Sequence, residues 1–264
     1  MLTLTIVIPA YNEEGYIRKC LDAISRQTVQ PNEVIVVDNN STDATINIAR
    51  QYDFVRVIKE QKQGIVFARN SGFNAAKTDI IARIDSDSQL EENWIETVLN
   101  YFTNSALSDA ITGNCYFYDF PVRVVTQNIH HFAYYSVQKA VTGGEILWGS
   151  NMAITRESWR AVREDCLLTT DVHEDMDLTI HLVDNGYSIA RLPELVAGVS
   201  MRRGDLSLKS VIKYLKPWPK TYWINKKYGA AAVIGIVFVA IIIGTAPFLL
   251  ARTYYLSLTP NLPV

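Results

Sequence analysis

Two patterns of apolar and polar positions take turns along the first 192 residues. Compact apolar runs such as Leu4-Thr5-Ile6-Val7-Ile8, Val34-Ile35-Val36-Val37 and Ile80-Ile81-Ala82 predict strands covered on both faces. Between such runs, Ile17, Cys20, Leu21 and Ile24 recur at helical spacing. The expected order is strand 4–8, helix 16–26, strand 33–37, helix 43–52, strand 55–58, helix 64–76, strand 79–84 and helix 92–102. This alternation predicts an α/β fold with a mainly parallel sheet flanked by helices. Beyond Ala110 the pattern is mixed: strand 110–118, a long aromatic-rich helix 122–141 broken by Gly143-Gly144, strand 151–155, helices 156–162 and 174–185, and strand 188–192.

The last part of the chain reads differently. From Ala230 to Leu250 there is no charged residue, and about 20 apolar residues suffice for a helix to cross a bilayer. A single transmembrane helix is expected over 229–251, followed by a short tail, 252–264. Lys213, Lys216, Lys220, Lys226 and Lys227 precede it and only Arg252 follows, which places the N-terminal body on the cytoplasmic side. Trp218, Tyr222, Trp223 and Tyr228 before it, and Tyr254 and Tyr255 after it, suggest interfacial belts. Residues 206–228 interleave lysines and aromatics with Val211, Ile212 and Leu215. They read either as an amphipathic segment on the membrane surface or as a helix end packed on the body. Within that body, a boundary near 112 separates a nucleotide-binding half, 1–112, from an acceptor-binding half of the same domain, 113–205.

Composition adds little except by exclusion. The 264 residues are 48% hydrophobic, and the excess lies after Tyr228. With 25 basic and 27 acidic residues, there is no charge footprint for nucleic acid. Cys20, Cys115 and Cys166 fit neither a zinc nor a redox spacing and read as buried thiols in a reducing compartment. The first strand begins at once, so no signal peptide is expected.

Ligands of open α/β sheets bind beyond the carboxyl ends of the strands, and three polar clusters fall there. Pro9-Ala10-Tyr11-Asn12-Glu13-Glu14 follows the first strand, Asp38-Asn39-Asn40-Ser41-Thr42-Asp43 the second, and Asp85-Ser86-Asp87 the fourth. Asp85 and Asp87 are read as dividing two tasks, one toward a ribose and one toward a divalent cation, Mg²⁺ or Mn²⁺, on a departing diphosphate. Taken alone, the tripeptide also suits an ordinary acidic turn. Asp38 can accept from a base or ribose, while Asp43 can cap a helix. Tyr11 can stack on a base or pack its loop. Arg69 can meet phosphate oxygens, support the aspartates, or pair at the surface with Asp53 or Glu60. His173-Glu174-Asp175-Met176-Asp177 offers a general base, or only negative charge for a helix N-terminus. Walker, Gly-x-Gly-x-x-Gly and Gly-x-Ser-x-Gly patterns are absent from the sequence.

Taken in order, these stretches resemble the family 2 glycosyltransferases of the GT-A fold. Ile8 to Glu14, Val36 to Asp43, Gly64 through Arg69-Asn70-Ser71-Gly72, Asp85-Ser86-Asp87, Gly149-Ser150-Asn151-Met152 and Glu174 to Leu178 carry the resemblance. It implies that Pro9, Ala10, Tyr11 and Glu13 line a nucleotide pocket and that Asp38 contacts base or ribose. Asp85 and Ser86 lie by the ribose and donor sugar, Arg69 serves the same nucleotide sugar, and Asp87 holds the metal. Gly149, Ser150, Asn151 and Glu174 border the donor-sugar and acceptor region, and Asp175 is the base of an inverting displacement. The implied function is transfer of one sugar from a nucleoside-diphosphate sugar, by default a UDP-sugar, to a hydroxyl or phosphate acceptor that is lipid-linked, in glycolipid or cell-envelope synthesis. Asn39-Asn40 departs from the Asp and Gly of many members. No Gln-x-x-Arg-Trp marks a processive synthase, although Arg202 or Arg203 can still reach the diphosphate. A sugar-nucleotide nucleotidyltransferase and a non-catalytic nucleotide-sugar-binding membrane protein are the alternatives.

Overall fold

The structure, a computed structural model, describes residues 1–104, 108–119, 135–200 and 208–258, with side chains in the last helix as far as Gly244. Most of the expected aromatic helix 122–141, together with Arg202 and Arg203, lies outside the described residues. The chain runs β1 (Leu4–Ala10), α1 (Ile17–Ser25), β2 (Glu33–Asp38), α2 (Thr45–Ala49), β3 (Val55–Lys59), α3 (Ile65–Ala75), β4 (Ile80–Arg83), β5 (Gln89–Leu90) and α4 (Trp94–Asn104). It continues with β6 (Ala110–Phe117), α5 (Val137–Thr142), β7 (Met152–Thr155), α6 (Arg156–Val162), α7 (Glu174–Asp184) and β8 (Ile189–Val199). It ends with α8 (Leu208–Leu215), α9 (Pro217–Ile224) and α10 (Tyr228–Leu258).

One eight-stranded sheet has the order β3-β2-β1-β4-β7-β6-β8-β5. The first four strands are parallel. β7 then inserts antiparallel to both β4 and β6, and β5 closes the edge antiparallel to β8. The sheet is therefore mixed, not mainly parallel as the alternating pattern suggested. A four-residue strand such as β7 carries no direction in its hydrophobicity, so only its partners reveal it. Register places Ala10 beside Asp38, and Val7 beside Arg83. The chain leaves β1, β2 and β4 on one edge, with the order reversing at β1/β4, the crevice where such sheets take ligands.

Period-two alternation explains why the strands read as continuous apolar runs. Leu4, Ile6, Ile8, Val34, Val36, Ile80 and Ala82 face one core layer with Ile17, Leu21, Ile24, Trp94 and Val98. Val7, Ile35, Val37, Ile81, Met152 and Ile154 face the other, with Phe73, Trp159, Leu178 and Leu182. Helix α3 lies so close to the sheet that a Cβ on Gly72 would stand 2.2 Å from Val7 Cγ1.

A third cluster joins Tyr135, Ile146, Met176 and Ile180 to Leu215, Trp218, Tyr222, Ala231 and Ile234. Trp218 and Tyr222 are thus core residues, not part of an interfacial belt. They lie on the faces of α9 that meet α7 and α10, a distinction that a count of aromatics cannot make. Trp223 and Tyr228 are exposed and stack edge to face at 4.9 Å. Helix α10 is 31 residues long and exposes Val233, Ile236, Val239 and Ile243. Its described side chains stop short of the about 20 residues that a bilayer needs, and among the described residues no helix is long and apolar enough to cross a membrane.

Candidate active site

Asp85-Ser86-Asp87 is a turn, not extended chain: the Ser88 N–H donates to the Asp85 carbonyl at 3.0 Å, and Ser88 Oγ accepts from the Asp85 N–H at 3.1 Å. Burial separates the two carboxylates. Asp85 keeps 38% of its side chain exposed, whereas Asp87 is buried. Ser86 is buried beside it.

Neighbouring groups register the charge of this turn. Burial first, then the charges of Asp87, Asp85 and Glu13, push the Cys20 thiol up. Burial, then Asp87, raises Tyr118 to about 12. Burial raises Cys115 to about 12 as well, with Asp85 and Asp87 adding to it. Three side chains from α1, β6 and the residue after β6 thus sit in one negative field. All three cysteines are free.

Arg83 is the cation of this region. Its guanidinium is 3% exposed and bridges Asp85 Oδ1 at 3.1 Å and Glu174 Oε1 at 2.8 Å. Burial works against its charge, but Glu174, Asp85 and Asp175 outweigh that and hold it protonated. Gly149 covers it so closely that a Cβ there would lie 2.4 Å from Arg83 Nη1. Sequence reading missed Arg83; an arginine inside an apolar strand run was the available signal, since such a charge is rarely buried without partners.

Helix α7 begins where β7 is entered. Asp175 accepts the Gly149 N–H at 3.2 Å and its neighbour Met176 N–H at 2.8 Å, with His173 Nδ1 at 3.5 Å. Burial acts to raise its pKa, but the hydrogen bond and charge of His173, then the charge of Arg83 and the Gly149 N–H, hold the carboxyl below the usual range. His173, Glu174 and Asp175 bring ligand atoms within 4.8 Å of one another. Glu174 is already paired with Arg83, whereas in the acidic turn it is Asp85, not Asp87, that pairs with that guanidinium, so the turn could hold a cation. There Asp87 offers hard oxygen donors.

The remaining expected residues divide. Pro9 and Ala10 end β1 in the buried layer, and Tyr11 beyond them is half exposed. The Glu13 N–H donates to Thr45 Oγ1 at 2.6 Å, tying this loop to α2. Asp38 Oδ1 accepts the Ser41 N–H at 2.8 Å, so one oxygen holds its own turn. Asp43 Oδ1 accepts the Thr45 N–H at 3.0 Å at the start of α2. Ser150 is buried, with its hydroxyl bonded to Trp148 Nε1. Asn151 lies below the site: its amide accepts from Trp94 Nε1 and donates to the Asn114 and Leu195 carbonyls, each at 2.8 Å. Arg69 is fully buried, over the rings of Phe73 and Trp159 at 5.7 and 5.4 Å, with no hydrogen-bond partner among the described residues. It is not a surface residue paired with Asp53 or Glu60. Burial lowers its pKa.

Asn39 shows why an asparagine stands at this position. Its buried Nδ2 donates to the Glu60 and Lys62 carbonyls at 3.1 and 2.8 Å, while Oδ1 accepts the Gly64 N–H at 2.8 Å. Asn40 follows at φ 68°, a left-handed position that asparagine tolerates. A carboxylate at 39 could not donate and would face two carbonyls. Asn39→Asp is expected to cost about 2 kcal/mol, read as a lowered denaturant midpoint at pH 7 with an unchanged slope.

Comparison with known proteins agrees with this geometry. A family model described as "Glycosyl transferase family 2" matches residues 5–162, more than half of the chain. Glycosyltransferase AglE of Haloferax volcanii is 36% identical over 121 residues, covering 43% of this chain and 40% of that protein. Glycosyltransferase GlyA of Streptococcus pneumoniae is 33% identical over 117 residues, covering 43% and 17%. The chain thus spans less than half the length of these curated relatives. Among solved structures, the mannosyltransferase PcManGT from Pyrobaculum calidifontis, in complex with GDP-Man and Mn²⁺, superposes with TM-score 0.63 at 20% identity, covering 97% of this chain and 81% of that one. Glucosyl-3-phosphoglycerate synthase from Mycobacterium tuberculosis, with Mn²⁺, UDP and phosphoglyceric acid, gives 0.55 at 21%, covering 75% and 69%. At such identities the likeness is one of fold, a GT-A-like α/β architecture. The family match and the site's position together lead to one assignment: the chain belongs to glycosyl transferase family 2.

Proposed function

We propose that this protein transfers one sugar from a nucleoside-diphosphate sugar to an acceptor hydroxyl by a single inverting displacement. The observation that carries the reading is the placement of two acidic groups around Arg83. The turn at 85–87 lies on one side of the guanidinium, and Glu174-Asp175 on the other. The loops after β1 and β2 would hold the nucleotide. A divalent cation, Mg²⁺ or Mn²⁺, held at Asp87 would supply charge neutralisation for the leaving diphosphate. Asp85, pinned by Arg83, would face the ribose and donor sugar. Asp175 would take the proton of the acceptor hydroxyl while that oxygen attacks the anomeric carbon from the opposite face. Mn²⁺ in the two neighbouring structures and the negative field around Asp87 support the metal. UDP is the default nucleotide, with GDP as the second choice.

The last helix suggests where this happens. Its exposed Val233, Ile236, Val239 and Ile243 continue into the uncharged run that ends at Leu250. A cleft of about 330 Å³ between Pro219, Lys220, Trp223, Tyr228, Ala231 and Ala232 sits at its start. We infer a membrane anchor with the catalytic body on the cytoplasmic side, and a lipid-linked acceptor presented at that surface. The test is turnover of a panel of nucleotide sugars by purified protein, with and without Mn²⁺. One donor should be consumed with Mn²⁺, and Asp87→Ala should abolish the response to the cation. Full Mn²⁺-dependent turnover in that variant would overturn the metal assignment. Pyrophosphate release from a nucleoside triphosphate would favour the nucleotidyltransferase.

A further inference from the structure

We propose that His173 is a positioning residue for Asp175, and that α8 and α9, through their hold on His173, set the base for transfer. The inference rests on Asp175 acting as that base. His173 is the residue at the N-cap position of α7, and its Nδ1 lies 3.5 Å from Asp175 Oδ1. The far side of the ring meets α8 and α9 edge to face, at 5.4 Å from Tyr214 and 6.0 Å from Trp218. Its backbone N–H donates to Thr221 Oγ1 at 2.9 Å, and that hydroxyl donates to the Pro217 carbonyl at 2.7 Å.

More of the same helix grips the same segment. Tyr222 OH bonds to Gln138 Oε1, whose amide reaches Met176 Sδ at 3.8 Å. Lys220 pairs with Asp171 at 2.7 Å, and Asn225, the C-cap of α9, donates to Asp177 Oδ1 at 2.9 Å. A helix serving only as a spacer before an anchor needs none of these bonds. Together they fix residues 171–177, the stretch that carries the base.

The charged groups around the imidazole are Asp175 and Glu174 on its own segment, with Arg83 of β4 behind them. From α8 it meets the ring and carbonyl of Tyr214, and from α9 the ring of Trp218. Burial acts to lower the His173 pKa, but the hydrogen bond and charge of Asp175, then Glu174 and the Tyr214 carbonyl, raise it above 6.5. When His173 is protonated, its charge stabilises the Asp175 carboxylate and weakens it as a base. When His173 is neutral, it still orients Asp175 without that penalty. Activity should therefore rise with pH through a midpoint above the ordinary imidazole value.

The experiment combines kinetics with a histidine NMR titration in detergent. Wild-type kcat is expected to show that acidic limb. His173→Gln should lose the limb and lower kcat at pH 8 about tenfold or more, with donor KM within about twofold. Thr221→Val should lower kcat less, again with donor KM unchanged. By NMR, the His173 ring should titrate above 6.5 in the wild type, and its midpoint should fall in Asp175→Asn. A kcat–pH profile unchanged in His173→Gln would overturn the proposal, as would a His173 midpoint indifferent to Asp175→Asn. Wild-type kcat in Thr221→Val would overturn the part given to α9. If the wild type consumes no nucleotide sugar, the transferase reading fails, and the NMR result still decides whether the pair exists.

Discussion

Asp175→Asn is expected to lower sugar transfer about a thousandfold while leaving nucleotide binding intact. The substitution is nearly isosteric, and its oxygen can still accept the Met176 N–H. What disappears is the acceptor for the proton of the attacking hydroxyl. The loss should fall on kcat, because the proton acceptor is removed while the Arg83 bridge from Asp85 to Glu174 stays in place. Donor affinity by calorimetry and kcat by product formation separate the two effects. Transfer within tenfold of wild type would place the base elsewhere. The depressed pKa of Asp175 has a further consequence. The carboxylate stays ionised across the neutral range, so a loss of activity on mild acidification must come from another group, and His173 is the neighbour able to supply it.

Much of this could be read from the order of residues, for a physical reason. Strands covered on both faces are apolar at nearly every position, so β1, β2 and β4 stand out, and the polar residues at their ends are confined to one edge. That logic located Asp38, Asp85 and Asp87. It left open whether Asp85-Ser86-Asp87 is a turn, because the turn is closed by a hydrogen bond from Ser88, a residue with no unusual signature. The direction of β7 was equally hidden, and with it the mixed character of the sheet. Asn151 shows a further limit. The family resemblance implied a place at the border of the donor-sugar and acceptor region, yet its amide serves Trp94, Asn114 and Leu195 under the site. Sequence marks a buried polar residue and a functional one in the same way. The misreading of Trp218 and Tyr222 as membrane-facing has a similar origin, since aromatics near an apolar helix suit an interface and a core equally well.

Arg83 is where fold and chemistry are hardest to separate, and Arg83→Met is expected to lower stability by about 3–5 kcal/mol, or about 10 °C in Tm. The methionine fills similar space, so the loss is not a cavity effect. It arises because Glu174 is buried and, with Asp85 on the other side of the lost guanidinium, loses its counter-cation, while Asp175 keeps His173. Adding Glu174→Gln removes the stranded charge and should restore more than about 1 kcal/mol, since contacting residues couple by that amount. Chemical denaturation of the single and double variants at pH 7 reads both effects. A double variant no more stable than Arg83→Met would mean that Arg83 acts by packing alone. In that case Asp85 and Asp175 would be held in place by the backbone of Gly149 and the turn at 85–88, not by the charge between them.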